Sequence, residues 1–137
     1  MQTTLLKERL KAHGMSITKP RTRIFEYFLM AERPVTIQEL VAENNTIHYA
    51  TIYRTIHSLM QAGVIQQVPN GFTYTYELSD VFKPHHHHVT CEVCHKSMIV
   101  HSRDIENLMH RVTIQAGMQP TRHHFEAYGI CQACVSE

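Results

Sequence analysis

The chain has 137 residues, of which 43% are apolar, and its formal net charge is +1 with histidine neutral. This length fits one ordinary domain or two small ones, and the apolar share excludes global disorder. No apolar run approaches the roughly 18 residues of a membrane span, and the N-terminus lacks the apolar stretch of a secretory signal. We therefore expect a cytoplasmic protein with no membrane partner.

Charges and metal-binding residue types are unevenly distributed along the chain. Residues 1–25 contain one acidic residue, Glu8, and six basic residues: Lys7, Arg9, Lys11, Lys19, Arg21 and Arg23. Such a basic segment suits phosphate contacts, although a solvated helix surface gives the same pattern. Nine of the 12 histidines and all four cysteines lie after residue 80, which indicates metal chemistry in the C-terminal part.

The first half of the chain predicts four short helices. A stripe of Leu5, Leu6 and Leu10 ends at Gly14, and Pro20 is placed to open a second helix. The inward positions of that second helix are Ile24, Phe25, Phe28 and Leu29.

Two further helices follow. Thr36 and Glu39 form a capping-box pattern before Ile37, Leu40 and Val41. The fourth helix is expected from about Tyr49 to Ala62, with Gly63 closing it. Its apolar stripe consists of Ile52, Ile56, Leu59 and Met60.

A change to strand periodicity follows the fourth helix. Val64–Val68, the turn pair Asn70-Gly71 and Phe72–Leu78 predict a β-hairpin. Helices followed by a hairpin are typical of a winged helix-turn-helix, with the fourth helix as the recognition helix and the hairpin as the wing. We therefore predict a DNA-binding domain over residues 1–78 and a hinge over residues 79–84.

The remaining residues, 85–137, predict a small α/β domain, so the fold class is α+β. His86–Cys91, Ser97–His101 and Arg122–Tyr128 are candidate strands. Asp104–Ala116 is a candidate helix that ends at Gly117. Its inward stripe is expected to be Ile105, Leu108, Met109 and Val112.

Two Cys-x-x-Cys pairs give the sharpest signal in the chain: Cys91 with Cys94, and Cys131 with Cys134. Two such pairs complete a tetrahedral four-sulfur shell for zinc. Disulfides fit poorly without a secretory context, and a redox motif needs only one pair. A closed four-sulfur shell has no open position for water, so this zinc is predicted to be structural.

A run of four histidines, His85 to His88, lies three residues before the first cysteine. In a strand, alternate side chains point to opposite faces, so His86 and His88 would share one face and His85 and His87 the other. The run can therefore feed two metal sites. Candidate partners are Glu77, Glu106 and His123, and imidazole with carboxylate suits zinc, iron, cobalt or nickel.

Across nearly its whole length the sequence resembles the ferric uptake regulator superfamily. The features that carry the resemblance, in chain order, are Thr18-Lys19-Pro20-Arg21, Ala50-Thr51-Ile52-Tyr53-Arg54-Thr55, His85–His88 with Cys91-x-x-Cys94, Glu106, His123, and Gly129-x-Cys131-x-x-Cys134. The resemblance implies a metal-dependent repressor, not an enzyme, that forms a homodimer through its C-terminal domain. Its partner would be double-stranded DNA with a palindromic, AT-rich operator.

The resemblance also assigns DNA contacts to residues of the first domain. Tyr53 would contact a base, Arg54 the backbone, and Arg21 a phosphate or the minor groove. Ala50 and Thr51 belong to the same motif on the recognition helix. An exposed Tyr and Arg can supply apolar and guanidinium contacts in a major groove, although Tyr53 could instead serve helix packing.

The histidines and carboxylates are divided by the resemblance into two further sites. Glu77, His86 and His88 match a regulatory site at the hinge. A second site in the dimerisation domain takes His85, His87, Glu106 and His123. This is the same alternation that the strand argument gives.

Several positions depart from the family pattern and bear on the metal. Pro34, Ile99 and Gln66 stand where relatives often carry a ligand, so the regulatory site lacks at least one. His101, Glu32, Gln66 or a water could complete it. His87 stands where iron-type members usually have Asp, which favours zinc over iron or manganese as the regulatory divalent metal.

Other functions stay open from the sequence. An iron, manganese or peroxide sensor is the alternative within the family. A zinc hydrolase could use a His-ligated metal with a nearby Glu, but no H-E-x-x-H element is present. A metal-storage protein is a third alternative. Neither of these last two needs a winged helix.

Overall fold

A computed structural model describes residues 1–136. The chain divides into two compact units, one spanning Met1–Pro84 and a second that starts at His85. Each unit has its own secondary structure. In the described part of the chain, no helix combines the length and the apolar character needed to cross a bilayer.

The first unit contains four helices and a two-stranded sheet, as predicted. Its helices are α1 (Gln2–Ala12), α2 (Lys19–Met30), α3 (Ile37–Glu43) and α4 (Tyr49–Gln61), and its strands are β1 (Ile65–Asn70) and β2 (Thr73–Leu78). All four helices contribute to one core, whose fully buried side chains include Phe25, Phe28, Leu40 and Leu59. The predicted apolar stripes therefore pack against one another.

Local signals explain where these helices begin and end. Thr18 caps α2 by accepting a hydrogen bond from the Arg21 amide. The capping box of α3 is confirmed, because Thr36 Oγ1 accepts from the Glu39 amide while Glu39 Oε2 accepts from the Thr36 amide. Gly63 follows α4 with a φ of +69°, a conformation that glycine adopts without a Cβ clash.

The turn of the hairpin differs from the prediction by one residue. Asn70 pairs with Thr73, so Gly71 and Phe72 form the two-residue loop and Asn70 ends the strand. Gly71 has a φ of +64° while Phe72 is outside the positive region. A glycine at the first loop position is the requirement of a type II′ turn, whereas Asn-Gly at both central positions would favour type I′.

The segment after the hairpin, expected as a hinge, packs within the first unit. The Phe82 ring is buried and meets Phe25 edge to face, with ring centroids 5.1 Å apart. Lys83 Nζ donates to the Ala31 carbonyl at the end of α2 over 2.9 Å. These contacts hold residues 82 and 83 to α2, and the hinge assignment itself stays a prediction.

The second unit is a three-stranded sheet with one long helix. Its strands are β3 (His87–Cys91), β4 (Ser97–Val100) and β5 (Glu126–Gly129), and its helices are α5 (Arg103–Gln115) and the short α6 (Gln132–Val135). The strand order is β4-β3-β5, with β3 antiparallel to β4 and parallel to β5. The strand predicted for Arg122–Tyr128 is observed as the shorter β5, which starts later and ends one residue further along the chain. The short helix α6 was not predicted.

The apolar stripe of α5 is not inside the unit, which corrects the sequence prediction. No residue of α5 is buried in the single chain, and Leu108 and Val112 are 45% and 51% exposed. The periodicity correctly identified an amphipathic helix, but it could not show that the single chain covers Ile105 and Met109 only in part and leaves Leu108 and Val112 exposed. An exposed apolar stripe of this kind is typical of an interaction surface.

Candidate metal centres

The four cysteines come together in the second unit as the spacing predicts. Cys91 ends β3, Cys94 follows in the next turn, and Cys131 caps the short helix that carries Cys134. All four sulfurs lie within 4.8 Å of one another and none is in a disulfide. The Cys94 and Cys131 sulfurs are 3.8 Å apart. A tetrahedral zinc with Zn–S bonds of ~2.3 Å separates its sulfurs by about 3.8 Å, so the set fits that ion.

Hydrogen bonds around the sulfurs move their pKa values in opposite directions. The Cys131 amide donates to Cys91 Sγ over 3.4 Å. That amide, with those of Cys94 and Val93, lowers the pKa of the Cys91 thiol to about 6. Contact with the Cys131 sulfur raises the pKa of Cys134 to about 12. Four adjacent thiolates therefore need a cation before all can ionise, which is what a zinc ion supplies.

A second cluster unites three histidines and a carboxylate on the other end of the same strands. His87 is the first residue of β3 and His85 lies two residues before it, Glu106 lies in the first turn of α5, and His123 precedes β5. Their candidate ligand atoms are within 4.8 Å of one another. Glu106 is central, because its oxygens lie 2.5 Å from His87 Nε2, 2.8 Å from His123 Nε2 and 3.4 Å from His85 Nε2.

The charge of Glu106 is set by these neighbours. Partial burial raises the pKa of Glu106. The hydrogen bond with His87 and the positive charges of His123 and His85 lower it by more, so the net shift of the pKa is downward. A carboxylate that stays ionised beside three imidazoles is a suitable ligand set for a divalent transition metal. The odd-numbered histidines thus share one face, as the strand alternation predicts.

The even-numbered histidines are also brought near each other. The rings of His86 and His88 lie with centroids 4.9 Å apart, and His101 lies 6.1 Å from His86. Glu77 belongs to β2 of the first unit, where its Oε1 accepts a hydrogen bond from Gln66 Nε2 over 3.0 Å.

The residues expected to contact DNA lie on α4 and at the start of α2. Tyr53 and Arg54 are exposed, while Ala50 and Thr51 are partly exposed. Arg54 Nη2 donates to Thr51 Oγ1 over 3.4 Å, which places both polar groups on one face of the helix. Arg21 reaches α4 through a 3.4 Å hydrogen bond from its Nη2 to Ser58 Oγ.

Sequence reasoning missed one structural role on this face. His48, to which the sequence patterns assign no role, caps α4 by accepting a hydrogen bond from the Ala50 amide over 3.2 Å. Its ring also stacks on Tyr49 with centroids 5.0 Å apart. The signal was its position directly before the first helical residue, but histidine is not among the usual capping residues.

Comparison with known proteins agrees with this arrangement. The family model described as Ferric uptake regulator family matches residues 12–128. The ferric uptake regulation proteins of Neisseria meningitidis and Bordetella parapertussis are 29% and 31% identical, covering 94% and 93% of this chain and 92% and 95% of theirs. The fold is similar to that of the Helicobacter pylori ferric uptake regulator, described with three functional metal-binding sites: the TM-score is 0.82 at 19% identity, over 97% of this chain and 91% of that one.

Proposed function

The chain belongs to the ferric uptake regulator family of metal-responsive transcription regulators, and we propose that it is a zinc-responsive repressor of metal-uptake genes. The observation that carries the proposal is that candidate metal sites and a candidate DNA-contacting helix occur in the same chain. One unit holds two ligand clusters suited to transition metals, and the other presents an exposed Tyr and Arg on the helix before a β-hairpin.

We assign a separate task to each ligand set. The four-cysteine cluster would hold a structural zinc, since its closed shell leaves no position for another ligand. Glu77, His86 and His88 would form the regulatory site, an assignment that rests on the resemblance to the family. The cluster of His85, His87, Glu106 and His123 would hold a further metal in the second unit.

The regulatory step would be a shift in population. A divalent ion bound by Glu77 of the first domain and His86 and His88 of the second would favour one arrangement of a homodimer. In that arrangement two copies of α4 would match two half-sites of a palindromic operator in double-stranded DNA. When the metal is scarce, the arrangement would be lost and the promoter released.

Zinc is favoured over iron and manganese by His87, which stands where iron-type members of the family usually have Asp. With His87 the second cluster has three imidazoles and one carboxylate, a set that zinc and iron both accept, so the preference rests on the family pattern. Iron is the alternative that a specific observation supports, because the relatives at 29% and 31% identity are named for ferric uptake.

Operator binding under a series of metals tests this proposal. Double-stranded DNA sites are selected from a random library in parallel with protein loaded with zinc, ferrous iron or manganese, and gel shifts are then run with each metal or with chelator. We expect binding to rise with zinc at the lowest free concentration, with metal content measured by elemental analysis. If no DNA is selected with any metal, the repressor function is wrong; if ferrous iron acts at lower concentration than zinc, only the metal is wrong.

Replacing Arg54 or Tyr53 with Ala is expected to affect DNA binding in two distinguishable ways. Loss of the Arg54 charge should weaken binding to all sequences about equally and reduce the salt dependence by about one phosphate contact. Loss of Tyr53 should relax base preference at one position by roughly tenfold. Affinity on matched and mismatched operators over a salt series separates the effects, and Arg111→Ala on exposed α5 is the control that should change neither.

Replacing Leu108 with Asp is expected to convert a dimer into monomers. The stripe of α5 is exposed in one chain, so a second copy is the proposed cover, and a carboxylate there would be buried without a partner. The dimer dissociation constant should rise by at least about tenfold, as measured by light scattering after size exclusion. Asn107→Asp adds the same charge one residue away, and an equal effect of both variants would exclude this face.

A further inference from the structure

The exposed phenylalanine and tyrosine side chains of the first unit are confined to two elements. Within residues 1–84 they are Tyr49 and Tyr53 on α4, and Phe72 and Tyr74 at the end of the hairpin. The other phenylalanine and tyrosine rings of this unit are buried or partly buried. The two tyrosines of α4 belong to the proposed DNA-contacting face. The two exposed rings of the hairpin have no function assigned so far.

The two-residue loop of Gly71 and Phe72 forms the tip of the hairpin, and this tip exposes an apolar side chain. Phe72 is the second residue of the two-residue turn and its side chain is fully exposed. Behind it, Pro69 and Tyr74 face each other as a cross-strand pair, and Tyr74 is also exposed. A tight turn supports this projection, because Gly71 alone takes the positive φ and leaves Phe72 in an ordinary conformation.

The hairpin lacks the cations that give a wing strong phosphate contacts. Between Arg54 and Lys83 the sequence contains no Lys or Arg, and the hairpin carries one acid, Glu77. Cationic side chains supply the electrostatic part of DNA affinity. Without them, this hairpin has neutral hydrogen bonds and apolar contact to offer to DNA, and its exposed tip is apolar.

We propose that Phe72 enters the DNA minor groove as an apolar wedge that partly unstacks one base step next to the half-site contacted by α4. The inference rests on the proposed DNA-binding function. The hairpin starts four residues after α4 ends and β1 packs on that helix, so a duplex bound by α4 would pass near the hairpin. Minor-groove proteins insert phenylalanine and other apolar side chains between base steps and kink the duplex there. The step would favour flexible pyrimidine–purine sequences.

The test measures unstacking directly. Zinc-loaded full-length protein is bound to its selected operator with 2-aminopurine placed in turn at each position that flanks the half-site. We expect the 2-aminopurine fluorescence to rise at one flanking base step. We also expect the duplex to bend, as measured by energy transfer between dyes at its two ends. Phe72→Ala should abolish both signals and weaken binding roughly tenfold. Phe72→Leu should retain most of them, because leucine also acts as a wedge.

The controls separate the wedge from other causes. Met30→Ala removes an exposed apolar side chain at the end of α2 and should leave both signals unchanged. Signals that persist in Phe72→Ala would overturn the inference, as would the absence of any flanking signal with the unaltered protein. An unchanged DNA affinity in Phe72→Ala would point instead to a protein partner for the tip. Failure to select any operator would overturn the proposed function itself.

Discussion

Replacing Cys131 with Ser is expected to remove the stoichiometric zinc and unfold the second unit. That unit has a three-stranded sheet and a long helix with no buried residue, so little apolar packing would replace a lost ion. Structural zinc contributes on the order of 10 kcal/mol to the folding of small domains that depend on it. We expect zinc content to fall by one ion per chain and the far-ultraviolet signal of the second unit to be lost.

A matched control lies in the other Cys-x-x-Cys turn. Val93 stands between the first pair of cysteines and is 57% exposed, so Val93→Ser introduces the same residue without touching a ligand. It should keep both the zinc and the thermal transition. Cys131→Ser protein that retained a full zinc complement and melted like the unaltered chain would show that this cluster is not the structural site. Removal of the metal by a strong chelator should reproduce the variant.

Replacing both His86 and His88 with Ala is expected to abolish the metal dependence of operator binding while the dimer and the structural zinc remain. Removing two imidazoles from one site should raise the metal concentration needed for half-maximal binding by at least about 100-fold, because even the loss of a supporting hydrogen bond costs 10–100-fold. Gel shifts over a free-zinc series measure the dependence, and light scattering measures the dimer.

The control for this pair removes the same number of imidazoles elsewhere. His110 and His124 are exposed and belong to none of the three proposed ligand sets, so the double Ala variant should respond to zinc normally. A variant at His86 and His88 that fell apart into monomers would instead make these residues structural, and the division between regulatory and structural sites would then be wrong.

Much of the fold followed from local signals in the sequence. The capping box at Thr36, the glycine after α4 and the period change into the hairpin each act over a few residues, so each could be recognised without knowing its surroundings. The Cys-x-x-Cys pairs and the alternating histidines are equally local. Their outcome depends only on strand geometry and on the small set of ligands that zinc accepts.

What the sequence could not provide depends on contacts that are distant along the chain. Leu108 and Val112 are exposed because no other element of the described chain covers them. The periodicity of the helix indicates only that one face is apolar, not whether another element packs on it. Phe82 lies in a segment read as a hinge, and nothing local predicts that it packs on Phe25, 57 positions earlier. The turn at Gly71-Phe72 differed by one residue because the strand register, and not the Asn-Gly pair, sets which residues form the loop.

Strand β3 carries ligands for two clusters, and this gives metal loading an expected order. His85 and His87 lie at one end of β3 and Cys91 at the other, while the neighbouring β5 lies between His123 and Cys131. An ion on the four sulfurs therefore holds the parallel register that also sets His87 beside His123. By reciprocity of binding free energies, each cluster should raise the affinity of the other. The sulfur cluster, whose ligands lie in two tight turns, would fill first, and the imidazole cluster would then take up metal only after the structural site of the same domain is supplied.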